Sequence, residues 1–494
     1  MEKNIATEPL SVARPEWQQS RLVSRIVHLG CGAFHRAHQA LYTHHLLACS
    51  DSDWGICEVN IRPGNGARLI ESLKSQNLLY TVAEQGVTGT ELKIIGSMKE
   101  ALHPEFDGVE TILAAMTKPE TAIVSLTITE KGYCTSAASG TLDLSHPLIL
   151  HDLACPAQPE SAIGYLVEAL SRRRQQGKAA FTVLSCDNLR ENGHVAKAAV
   201  LGLAAARDPM LAEWIEQHVT FPCTMVDRIV PAATPESLEL IAGQLGTFDP
   251  CAIACESFRQ WVIEDNFVQG RPDWDRVGAQ FVADVTPFEI MKLRMLNGSH
   301  TFLAYLGYLA GYQTIADTMD SPAYRTAVKA LMLQEQAVTL SMPQGTRLDD
   351  YAELLISRFT NPSLKHRTWQ IAMDGSQKLP QRLLDPVRQH LAAGSDFSHL
   401  ALGVAGWMRY VSGIDEQGDS IEVVDPLVDQ YQAIHQRYSS ARDRVQALLA
   451  IDAIFGHDLP ENALFVSTVT EAYTSLIQQD ARRTVEALGK PVVG

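Results

Sequence analysis

Long apolar runs are absent from this 494-residue chain. The longest, such as FLAYLGYLAGY at 302–312, stop well short of the ~20 residues a membrane-spanning helix needs, so no membrane partner is expected. Positive charge is scarce too: 41 Lys and Arg against 57 Asp and Glu give a formal net charge of -16. Phosphate backbones are held largely by Lys and Arg, so nucleic acid is excluded as an expected partner. A small anionic substrate would need a local basic pocket on such a surface. Cysteine is sparse and scattered, nine residues with no repeated close spacing, which fits reduced thiols better than a disulfide framework. CAIAC at 251–255 lacks a second Cys or His pair at zinc-site spacing, and no metal is expected. The opening MEKNIATEPLSVARPEW lacks a basic n-region followed by an apolar h-region, so a cytoplasmic protein is expected.

What is present is the composition of an ordinary globular protein, 46% apolar and 20% charged. After a polar arm to about residue 22, strand-like and helix-like stretches alternate: RIVHLG then FHRAHQALYTHHLLA, WGICEVNI then ARLIESLKSQ, TAIVSLTIT, then AIGYLVEALSRRRQQG and AAFTVLSC. Such alternation builds a mostly parallel sheet covered on both faces, an α/β fold. From about residue 285 the runs are almost all helical. The expected division is 1–284, a nucleotide-binding α/β domain with its N-terminal arm, and 285–494, a mainly α-helical domain.

RIVHLGCGAFHRAH reads as strand, glycine turn and helix. Gly30 lets the chain turn sharply, and Gly32 leaves room for a pyrophosphate near the helix start at Ala33 and Phe34. His35 stands where the dinucleotide fingerprint has its third glycine, so a merely tight strand-to-helix turn is the competing reading. Glu58, near the end of the second strand, is the nearest acidic candidate for the ribose hydroxyls, and Arg62 would instead face a 2'-phosphate; NAD is favoured over NADP.

MKLRMLNGSH at 291–300 puts three polar groups into an apolar helix. At about 100° per residue, Lys292, Asn297 and His300 share one broad side. A partly desolvated lysine can serve as the acid or base for a secondary alcohol, an asparagine amide can donate to the alkoxide-like oxygen, and a histidine can orient the hydroxyl. The blander reading pairs Lys292 with Glu289, makes Asn297–Gly298 a helix break and buries His300 in the core. SCDNLRENG ends a buried strand with polar residues where doubly wound sheets bind ligands. MVDRIVP places Asp227 and Arg228 in an apolar run, as a structural brace or a substrate contact.

These stretches, VHLGCGAFHRAHQA, SLTITEKGY, SCDNLRENG, FPCTMVDRIVP, KLRMLNGSH and RTWQIAMDGSQKLPQR, closely resemble the long-chain polyol dehydrogenase family, also called the mannitol dehydrogenase family. The resemblance implies a metal-independent, NAD-linked enzyme with a Rossmann-type N-terminal domain and a mainly helical C-terminal domain. It places the catalytic lysine on Lys292, oxyanion-stabilising asparagines on Asn188 and Asn297, a substrate-orienting histidine on His300, a proton-passage glutamate on Glu289 and a substrate-contacting aspartate on Asp227. Within the family, HLGCGAFHRAHQALYTHHLL, DSDWGICEVN and ELKIIGSMKEALHPE resemble the branch that interconverts D-fructuronate and D-mannonate. A uronate carboxylate calls for a cationic donor, with Arg259, His366 with Arg367, and Lys378 as candidates. The alternatives are the same chemistry on D-mannitol, D-arabinitol or the D-tagaturonate and D-altronate pair, and a nucleotide-binding sensor without turnover. Oligomeric state is left open.

Overall fold

The computed structural model describes residues 12, 14–87, 89–136 and 140–488. Two compact units divide the chain, Met1–Thr286 and Pro287–Gly494. In chain order the strands of the first unit are β1 (Val23–Leu29), β2 (Trp54–Val59), β3 (Tyr80–Gly86), β4 (Gly89–Ile95), β5 (Met98–Leu102), β6 (Ile123–Leu126), β7 (Thr182–Ser185), β8 (Thr224–Asp227), β9 (Ile253–Glu256), β10 (Gln260–Glu264) and β11 (Gln280–Val282).

Five of them form an all-parallel sheet in the order β5-β2-β1-β6-β7. β6 and β7 are buried throughout, as strands covered on both faces are. Numbered within this sheet, the order is third, second, first, fourth, fifth, so the winding reverses between β1 and β6. Ligands of open α/β sheets bind outside the strand C-termini at such a reversal. The β3–β4 hairpin pairs with β9, and β8, β10 and β11 form a third small sheet. On one face of the parallel sheet the helices Val109–Thr117 and Ala162–Gln175 pack together. Arg173, fully buried there, donates to the carbonyls of Met116, Lys118, Thr121 and Ala179, which satisfies the chain where the first helix ends.

Among the described residues of the second unit every named element is helical. The helix Ser299–Leu309 is buried along nearly its whole surface and packs against Thr368–Ala372 and Ser398–Tyr410. Three segments depart from α geometry: Lys292–Gly298, Leu331–Gln336 and Pro380–Leu384 are π-helical, and the first packs on both others. Pro380 has no N–H for the carbonyl four residues back, which opens the turn it starts. At Gly298 a Cβ would collide with the Gln336 side chain and come within 2.9 Å of the Arg382 carbonyl oxygen, so the three segments meet at a residue with no side chain. The angular reading at 100° per residue is thereby corrected. In a π-helix the hydrogen bond spans five residues, and Lys292 and Asn297 are separated by that span. No helix among the described residues is long and apolar enough to cross a membrane.

Candidate active site

The glycine turn follows β1 at the reversal of the sheet. Gly30 has φ +105° and lies against the Thr127 backbone, so a Cβ would collide with the Thr127 carbonyl. At Gly32 a Cβ would meet only the Gly30 carbonyl oxygen, at 3.6 Å. Gly32, Ala33 and Phe34 are half-buried, while His35 onward is enclosed. The turn therefore has a fixed inner side and an open outer side, which suits a pyrophosphate.

Glu58 requires a correction. Its carboxylate is fully buried and takes the His35 Nε2 at 2.6 Å, so it faces inward beneath the turn and away from any ribose. The alternation of a strand decides this: Glu58 points to the opposite face from its neighbours. The groups at the end of β2 are instead Asn60, whose amide donates to the Cys31 carbonyl at 3.3 Å and whose oxygen takes the Arg62 N–H at 3.0 Å, and the exposed Arg62.

Beyond β6 and β7 two buried side chains clamp the loops. Asp187 accepts from the N–H groups of Ile128 and Thr129 at 3.0 and 2.9 Å and from the Tyr133 hydroxyl at 2.7 Å. Burial raises its pKa against those three bonds. Thr129 is thereby held at φ +63°, a strained setting for a β-branched residue. Asn192 donates to the carbonyls of Asp187 and Thr224 and accepts the Thr224 N–H, joining β7 to β8. Asn188 stands exposed between the clamps. At the end of β8, Asp227 is buried. Arg228 pairs with Glu84 and donates to the carbonyls of Ala37 and Glu256. Arg259 lies 3.7 Å from Glu84 and over the Tyr42 ring, so the structure gives it this buried network as its partners.

In the second unit Lys292 is buried at 9% exposure, and Asn297 and Glu289 are half-buried. The Thr301 hydroxyl donates to the Asn297 carbonyl at 2.9 Å and accepts from Arg382 at 3.1 Å. His300, 6% exposed, packs on Phe359 and edge-on to His366, centroids 4.5 and 5.1 Å away. Burial, followed by His366, Arg358 and Arg382, holds its pKa well below 6.5, so the imidazole is neutral. His366 is thus brought to His300, whereas its neighbour Arg367 is exposed. The Lys378 ammonium donates to the Ile371 and Met373 carbonyls at 3.3 and 2.5 Å and keeps one N–H for another acceptor. Its pKa is lowered by burial and by Arg382. Arg358 and Arg382 are the guanidinium groups that sequence reasoning did not single out. Arg382 stood inside the quoted DGSQKLPQR, while Arg358, in an amphipathic helix, carried no sequence signal.

The chain's likeness to known proteins matches this layout. The family model described as the mannitol dehydrogenase Rossmann domain matches residues 24–276, and the mannitol dehydrogenase C-terminal domain matches 284–477. Over 484 residues the chain is 72% identical to D-mannonate oxidoreductase of Escherichia coli (strain K12), covering 98% of this chain and 99% of that protein. Pseudomonas fluorescens mannitol 2-dehydrogenase, solved as a ternary complex with NAD and D-mannitol, is similar with a TM-score of 0.80 and 38% identity, covering 97% of this chain and 96% of that one. A substrate-free D-sorbitol dehydrogenase gives a TM-score of 0.89 at 33% identity, covering 98% and 99%. Both units are matched and the likeness runs nearly end to end: the chain belongs to the mannitol dehydrogenase family of oxidoreductases.

Proposed function

We propose that the protein is an NAD-dependent oxidoreductase interconverting D-fructuronate and D-mannonate. NADH, when bound, supplies the hydride to the C5 keto carbon. Lys292 supplies the proton to the oxygen of that carbonyl and takes it back in the reverse direction, a task suited to a desolvated ammonium. Asn188 and Asn297 are the amide donors for the alkoxide as its charge grows. Neutral His300 orients the reacting hydroxyl, Asp227 contacts substrate hydroxyls, and Glu289 passes the Lys292 proton to solvent. Gly30 and Gly32 shape the turn for the pyrophosphate, with Ala33 and Phe34 beside it. Among the described residues the nine cysteines form no disulfide, in keeping with a cytoplasmic setting.

One observation favours a uronate over a neutral polyol: the positive charges of Arg358 and Arg382 are both felt at His300, and that of Arg382 at Lys378 as well. A neutral sugar alcohol needs no such cluster, whereas a carboxylate is held best by a charged, forked donor. The identity to D-mannonate oxidoreductase points the same way. The test is kcat/KM, followed by NADH absorbance, for D-fructuronate, D-tagaturonate and D-fructose. A preference for fructuronate of 100-fold or more, about 2.7 kcal/mol, is expected. Equal rates with fructose would leave the family chemistry standing and remove the uronate assignment.

A further inference from the structure

Beneath the glycine turn lies a buried chain of polar groups that the reaction itself does not use. Glu58 on β2 holds His35 Nε2 at 2.6 Å. The His35 ring stacks on His28 of β1, centroids 3.4 Å apart and planes 14° from parallel. His28 Nδ1 meets the Ser125 hydroxyl at 2.8 Å, and its Nε2 meets the Thr127 hydroxyl at 2.9 Å. That Thr127 hydroxyl donates to the Gly30 carbonyl at 2.7 Å, so the chain ends on the turn. Every ring nitrogen of His28 is used within this relay. Two atoms, His35 Nδ1 and Glu58 Oε2, lie outside these bonds, and the weaker contacts left to the pair are the Gln39 side chain for His35 and the Cys31 thiol for Glu58. A fully buried carboxyl held by one histidine and a weak thiol donor is costly to ionise, and such groups call for an explanation.

We infer that Glu58, acting through His35 and His28, is a positioning residue of the cofactor turn whose charge state sets how tightly the turn holds a dinucleotide. This rests on the NAD-binding reading above. As a neutral acid, Glu58 keeps its proton and donates a hydrogen bond to His35 Nε2, and the whole chain under the turn is uncharged. Once ionised, Glu58 accepts from His35 Nε2–H and leaves a buried negative charge under the site of the pyrophosphate, in surroundings that screen it weakly. Burial raises the Glu58 pKa to about 7, opposed near that pH by the Cys31 thiol hydrogen bond and the Arg36 charge. Cys57 and Tyr80 are the other titratable groups that feel its charge. Burial holds His28 well below 6.5 and His35 at about 3, so both rings are neutral around pH 7 and Glu58 is the member that changes charge there.

The experiment is direct NADH titration by fluorescence from pH 6 to 8.5, without sugar, on wild type and Glu58→Gln. Gln keeps a hydrogen bond to His35 and cannot ionise. In the wild type, Kd should rise about threefold or more with pH; in Glu58→Gln it should stay flat and match the wild-type value at pH 6. A second reading needs only the wild type. Near pH 7.5 NADH binding should take up a fraction of a proton, seen as a calorimetric heat that depends on the buffer's ionisation enthalpy. A flat wild-type profile, an unchanged pH dependence in Glu58→Gln, or no proton uptake overturns the inference while leaving the cofactor assignment intact. Failure of the wild type to bind NADH at pH 6 would overturn both.

Discussion

Gly298 and Gln336 approach so closely that no methyl group fits between them. Each belongs to a π-helical segment, and Gly298 follows Asn297 directly. The Gln336 side chain is fully buried and takes the Ser299 hydroxyl on its amide oxygen. Position 297 is therefore set by a packed contact one residue away as well as by its own hydrogen bonds.

Gly298→Ala should cost about 1–3 kcal/mol of stability, the usual penalty of overpacking, and lower kcat through displacement of Asn297. Urea unfolding and steady-state rates measure the two effects. An unchanged midpoint with full activity would mean that Gln336 gives way freely, and that the contact does not set the site.

Lys292→Ala should lower kcat by at least ~100-fold with little change in NADH affinity, because proton transfer is lost and the cofactor turn is untouched. Asn297→Ala should lower kcat/KM by the equivalent of ~2.7–4 kcal/mol. Parallel loss of NADH binding in Lys292→Ala would remove the acid/base assignment.

Much of this arrangement was legible from residues. The alternation of apolar strands and helices gave the parallel sheet, and Gly30 with Gly32 marked the turn at its reversal. Two features escaped for physical reasons. Glu58 was read as a ribose ligand because chain position does not reveal which face of a strand a side chain takes when both faces are buried. The π-helix at 292–298 was invisible because its widened turn is imposed by packing against Leu331–Gln336 and Pro380–Leu384, contacts remote in sequence. Arg358 shows the same limit, since an arginine on an amphipathic helix looks like a solvated charge until the fold buries it.

Arg382→Ala should raise KM for D-fructuronate ~10- to 100-fold, the loss of a charge-assisted hydrogen bond worth ~1.5–3 kcal/mol, with little effect on KM for D-fructose. Arg382→Lys should recover part of the loss, keeping the charge but not the fork. If fructose and fructuronate suffer alike, Arg382 acts only through Thr301 and the Asn297 carbonyl, and the carboxylate is bound elsewhere.

Stability should also depend on pH in a direction set by buried histidines. Burial lowers His35 and His38 from 6.5 to about 3, and holds His28 and His300 well below 6.5. In the unfolded chain these rings titrate near 6.5, so below that pH the unfolded state binds more protons. Their contribution is fully present above about 6.5 and is lost as pH falls toward 3, each ring removing up to ~1.4 kcal/mol per pH unit. Glu58 acts in the opposite sense: its pKa rises from 4.5 to about 7, so its contribution is present below 4.5 and is lost as pH climbs through 7. Tm should therefore fall on the acid side of pH 6.5, and more steeply than on the alkaline side, because the histidines that burial lowers outnumber the carboxyls that it raises, Glu58 and Asp187 among them. His38 offers a single-site check, since its Nε2 bonds the Gln260 carbonyl at 3.0 Å and a glutamine amide can make the same bond without charging. His38→Gln should shallow the acid limb by up to one proton's slope; a Tm that stays level from pH 7 to 5 in the wild type would show that these rings are protonated in the folded protein.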